Sequence, residues 1–174
     1  MPKENGASLP EVVIILVLAL VLGAAIIPRL LNSRIAANEA AAVANVDVIT
    51  TAQQSYKTAY PQIGYADSLS RLAFVCGEHH CTPSPEHACL IDCTLPAATN
   101  HVKDGYFYNL TAGDRPTMPR TTYVVAAAAA QIHKTGDHNF CAVEDRRIRY
   151  DKPSTNTPVA ELTWSACRAL PILP

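Results

Sequence analysis

Residues 12–27 contain no polar side chain at all, and a helix that is apolar on every face is stable only inside a large core or away from water in lipid or among partner helices. The whole chain has 174 residues, enough for one domain of ordinary size plus an accessory segment. A large core that could swallow the run is therefore excluded. From residue 7 to residue 27 the only polar side chains are Ser8 and Glu11, and at ~1.5 Å per residue this stretch spans roughly 30 Å, the thickness of a bilayer core. A cleaved secretory signal is the first rival and fits poorly. Residues 1–6 carry one lysine, Lys3, offset by Glu4, and the run is followed by Pro28, Arg29 and a helical pattern in place of a small-residue cut site.

Glu11 is the odd residue, because a carboxylate at hydrocarbon depth costs several kcal/mol unless paired. Cutting the chain after Gly6 would give Ala7 a charged amino group one helical turn from Glu11, within pairing reach in the same chain or a neighbour. The plainer reading is an interfacial glutamate near the end of an ordinary anchor. Pro10 sits in the first turn, where its missing N–H costs nothing. Pro28 falls inside the helical pattern, so a kink or local unwinding is expected near residues 23–28.

Residues 6–11 (GASLPE), followed at once by the apolar run, resemble the type III signal of type IV pilins and type II secretion pseudopilins. Residues 27–39 (IPRLLNSRIAANE) and 60–65 (YPQIGY) extend the resemblance across roughly the first 75 residues, and 88–92 and 147–150 carry it more loosely. In that family a prepilin peptidase cuts after the glycine and methylates the new N-terminus, and the glutamate at the fifth mature position guides assembly. The resemblance thus implies processing between Gly6 and Ala7, an assembly role for Glu11, and a helix kink at Pro28. The usual first mature residue is phenylalanine, and Ala7 departs from it.

The implied product is a helical homo-oligomeric filament built by inner-membrane machinery. The subunit lies in the bacterial inner membrane before assembly and in a periplasmic or extracellular pilus afterwards. Such filaments serve motility, adhesion, DNA uptake and secretion. The implied organisation is a leader at 1–6, a membrane and filament-core helix at 7–28, its amphipathic continuation at 29–60, and an extracytoplasmic head at 61–174. Charge alone does not favour a cytoplasmic N-terminus, since Lys3 on one flank faces Arg29 and Arg34 on the other; the cysteines and the resemblance decide the orientation.

Beyond Pro28, Ile35, Val43, Val46, Ile49, Ala52, Tyr56 and Tyr60 recur mostly three and four apart, while Arg34, Glu39, Asp47 and Lys57 are free to face elsewhere. The pattern predicts an amphipathic helix to about Ala59, its tyrosines acting as core and loop anchors. Strands are predicted at 106–110, 121–130, 139–143 and 148–150, with turns at Gly113, Asp114 and Pro116, at Gly136 and Asp137, and at Asp145. The run 126–130 is alanine and has helical propensity, but β-branched and aromatic residues lead into it, which favours strand. The expected class is α+β: one long helix on a four-stranded antiparallel sheet, as in type IV pilin-like proteins. Residues 151–174 match nothing.

The six cysteines all lie between Cys76 and Cys167, an even set that reads as disulfides formed in an oxidising compartment. A metal cluster with His79, His80 and His87 is the rival, disfavoured because no paired C-x-x-C knuckle occurs. Ser84, Pro85, Glu86 and His87 read as the start of a short helix over 85–95. That helix would place Cys89 and Cys93 at i and i+4, poorly disposed to bond each other, so each is expected to pair with Cys76 or Cys81. Elimination leaves Cys141 with Cys167, which still allows two of the 15 connectivities open to six cysteines.

Net charge is −1, which gives no footprint for nucleic acid. The chain carries no phosphate-binding loop, nucleophile elbow or zinc-protease helix. No enzyme, cofactor or metal role is expected, and the scattered histidines His79, His80, His87, His101, His133 and His138 read as solvated. The rival readings to a pilus subunit are a pseudopilin of type II secretion and, in a different class, a monomeric anchored protein with a binding head.

Overall fold

The computed structural model describes residues 9–77, 80–97, 102–112, 117–153 and 162–174, and the side chains among them except at 19 and 21–28. The chain divides into two compact units, Met1–Arg34 and Ile35–Pro174. One helix, α1 (Leu9–Ala59), runs through both sequence ranges. It is unbroken at position 28, so the unwinding expected over 23–28 does not occur. A proline removes one hydrogen bond from the ladder, and the turns on either side continue without it.

In the second unit, α1 packs on a four-stranded antiparallel sheet of order β1-β2-β3-β4, formed by β1 (Tyr106–Ala112), β2 (Tyr123–Ala129), β3 (Asn139–Val143) and β4 (Arg149–Asp151). The predicted strands are met within two residues at every end. Ala42, Val46, Ile49, Ala52 and Tyr56 present one buried stripe of α1 to Tyr106, Tyr108, Leu110, Val125 and Phe140 on the sheet. Gln53 is fully buried on the same stripe without penalty, because its amide exchanges two 2.9 Å hydrogen bonds with the backbone of Ala66.

The alanine run in β2 is explained by register. Tyr106 pairs with Ala129 and Tyr108 with Ala127, so small residues on one strand make room for the rings of the next beneath α1. Packing therefore overrides the local helix preference of alanine. Every residue of β2 and β3 is buried, whereas β1 alternates. The cover on the second face comes from the unmatched C-terminal segment. There α4 (Trp164–Ala169), capped by the Thr163 side chain, packs Cys167, Trp164, Leu162 and Leu170 against Val124, Cys141 and Val143. The last residues also line the outer edge of β4, with Tyr150 N donating to Pro171 O and Leu173 N to Ile148 O.

Disulfides join Cys76 to Cys93, Cys81 to Cys89, and Cys141 to Cys167. Cys89 and Cys93 each bond one of Cys76 and Cys81, and Cys141 bonds Cys167, in line with the expectation, but the helix over 85–95 from which it was argued is absent. Ser84 Oγ does accept from His87 N as an N-cap would. The turn then stops, because Ala88 N and Leu90 N donate to Arg71 O and Leu72 O and Cys89 adopts φ 57. Only single turns, α2 (Leu69–Leu72) and α3 (Thr94–Ala97), are helical nearby. Replacing Cys141 and Cys167 together with alanine should cost roughly 2–5 kcal/mol in urea unfolding. The bridge spans 26 residues against 8 for Cys81–Cys89, and loop entropy makes it worth about 1 kcal/mol more. Equal losses on removing either bridge would contradict this.

Burial also sets the alkaline limit of the head. Tyr106, Tyr108 and Tyr123 are fully buried, and desolvation holds the Tyr108 phenol up at about 12 and those of Tyr106 and Tyr123 higher still. In the unfolded chain the same phenols ionise near pH ~10. The neutral forms therefore contribute stability that is complete below pH ~10 and drains away as pH rises toward the folded values, each tenfold weakening of a phenol's acidity being worth about 1.4 kcal/mol. Tyrosinate absorbance should appear together with loss of the circular-dichroism signal. Ionisation of these rings ahead of unfolding would show them to be accessible.

Candidate functional site

The feature with functional chemistry in the first unit is the surface of α1 itself. Leu9 is 81% exposed and Leu20 72%, and Val12, Val13, Ile14, Ile15, Leu16, Val17 and Leu18 are all exposed. Burying one such side chain is worth about 1.5–3 kcal/mol, so a helix of this kind gains strongly from any apolar surroundings or like helix. Among the described residues no helix is long and apolar enough to cross a membrane; the side chains at 19 and 21–28, within the apolar run, lie outside them.

Glu11 stands in the first turn of α1, exposed, and no cation pairs with it among the described residues. It is the sole charged side chain of α1 before Arg29. Gly6 and Ala7, the expected processing positions, lie outside the described residues. At the N-terminal end of a helix a carboxylate is favoured by the backbone dipole, so its position needs no sacrifice of helix stability. Among the described residues it has no counter-charge for a setting without water.

In the second unit, α1 is tied to the head by polar residues, among them Glu39, which the sequence pattern left free to face elsewhere. Glu39 Oε1 accepts from the backbone N–H of Asp137 at 2.7 Å and of His138 at 3.0 Å, and lies 2.9 Å from His138 Nδ1. Asn38 donates to Thr135 O and Asn45 to the Tyr108 hydroxyl. Glu39 is thus turned toward the β2–β3 connection, because its neighbours there are unsatisfied backbone donors and an imidazole. His138, expected to be solvated, is half-buried between Glu39 and the ring of Tyr150 at 5.6 Å. His133 remains exposed beside Asp137, His80 and His87 are exposed, and His79 and His101 lie outside the described residues, as do Gly113, Asp114 and Pro116. The available signal was composition: Asn38, Glu39 and Asn45 are the polar interruptions of an alanine-rich stretch.

Around the cystine loop, Tyr56 Oη donates to Pro85 O, Arg71 donates to the same oxygen, and Asp67 holds both Arg71 and Arg120. These contacts pin residues 84–91 to the core. No group of three or more metal-ligating side chains is present among the described residues. No family model matches the chain, and neither does any curated protein or solved structure.

Proposed function

We propose that the chain is the structural subunit of an extracellular type IV pilus-like filament, assembled through its N-terminal helix after a prepilin peptidase removes residues 1–6. The observation that carries this reading is the exposed apolar surface of α1 with the lone carboxylate of Glu11 in its first turn. An apolar helix needs lipid or partner helices. A membrane anchor gains nothing from Glu11, whereas packed helices can pair it with the amine that cleavage creates at Ala7. Three disulfides support a head outside the cytoplasm. In this reading residues 7–28 lie in the inner membrane until assembly machinery extracts them into the filament core. A pseudopilin of type II secretion shares each of these properties and differs in the machine it serves.

Mass spectrometry of the protein from sheared surface material tests the reading directly. The expected N-terminus is Ala7, in a particle seen as filaments by electron microscopy. An intact Met1 in such filaments would remove the processing step and the partner it supplies to Glu11.

A further inference from the structure

Beside the buried stripe of α1 lies an open groove of about 430 Å³. Ala36, Ala40 and Val43 form its helix wall, and Phe140, Tyr150 and Leu173 form the opposite wall, with the Glu39 carboxylate between them. Ala36 and Ala40 are one turn apart and exposed, and side chains this small allow a second helix to approach closely. We infer that the groove seats residues 29–34 of α1 from a second copy of this chain, the leucines against the apolar walls and an arginine toward Glu39.

The occupant is argued from its chemistry. Leu30 is 57% and Leu31 48% exposed, and Arg29 and Arg34 flank them. Among the described residues no other pair of adjacent exposed leucines has an arginine on both sides. A basic, leucine-bearing turn complements a largely apolar groove that carries Glu39 and the His138 bonded to it. Glu39 already accepts from His138 and two backbone N–H groups through Oε1, while no described residue bonds Oε2. Consecutive turns of one helix cannot pack face to face, so the partner is another copy. Groove and plug are different surfaces, which makes the contact heterologous, and a heterologous contact that does not close on itself propagates into an open filament. The inference rests on the filament reading and adds to it where each helix meets its neighbour's head.

The test is a photo-crosslinking amino acid placed at Ala40 in the full-length protein, in cells that assemble it. A covalent dimer is expected whose crosslinked peptide contains Leu30 and Leu31. Separately, Ala40→Trp fills the groove at an exposed position. It should lower filament numbers roughly tenfold or more, the effect of about 1.4 kcal/mol per contact, with all three disulfides intact. Filaments that show no crosslink to residues 29–34, or normal filament numbers for Ala40→Trp, would overturn the groove assignment and leave the filament reading standing. The expected dimer in membranes that hold no filaments would do the reverse. Monomer alone with no filaments would remove both.

Discussion

Glu11→Leu should reach the membrane at normal levels, lose residues 1–6 and fold its head, yet form no filaments. The substitution removes a charge that insertion disfavours, so an ordinary anchor would insert as well or better. Assembly is different. If the amine at Ala7 pairs with Glu11 of its own chain or a neighbour, deleting the carboxylate strands a buried cation at a cost of roughly 3–5 kcal/mol, repeated at every subunit. The experiment compares membrane level, N-terminal residue and surface filament number for the variant and the native chain. Normal filament numbers would leave Glu11 without an assembly role and favour a monomeric anchored head.

The second large effect is expected at Gly64→Ala. Gly64 has φ +82, and an added Cβ would fall onto the backbone carbonyl of Arg120, to which residues 63–65 are bonded through Tyr65 N to Arg120 O at 3.0 Å and Arg120 N to Ile63 O at 2.8 Å. The clash cannot be relieved by a side-chain rotation. Opening this junction forfeits two backbone hydrogen bonds at about 1 kcal/mol each and adds backbone strain of about 1–3 kcal/mol. Gly77 is the control, with φ +90 and open space where a Cβ would go, so Gly77→Ala should cost only the left-handed penalty of about 1–2 kcal/mol. Urea unfolding of both variants in detergent gives the comparison. A Gly64→Ala loss no greater than that of Gly77→Ala would mean that the junction with Arg120 yields easily.

Much of the head was legible from periodicity. The end of α1 at Ala59 follows from Pro61, and the four strands follow from alternating β-branched and aromatic runs between turn residues, signals that are local in the chain. Apart from the helix continuing through Pro28, which is a local matter, the failures share one physical cause, which is that long-range partners decided them. Residues 85–95 carry a sound helix start at Ser84, but their backbone donors are claimed by Arg71 and Leu72. The cystine pairs came out as expected for a reason that does not hold, since Cys89 and Cys93 share no helix. Glu39 looks like any solvent-facing acid on a helix until the β2–β3 connection is folded against it. Residues 162–174 gave no pattern because a six-residue helix held by Cys167 needs little periodicity of its own. The apolar run and Glu11, on which the proposed assembly rests, are plain in the sequence, whereas the groove is not, because its two walls are about 100 positions apart in the chain.

The closing strip along β4 bears on what kind of polymer the chain can become. An open sheet edge is a template for strand-by-strand aggregation. Here residues 171–173 occupy the outer edge of β4, and the Cys141–Cys167 bond keeps the strip from peeling away. Strand-by-strand growth from the β4 side of the sheet is thereby closed off, so the proposed filament would draw its order from α1 and not from that edge.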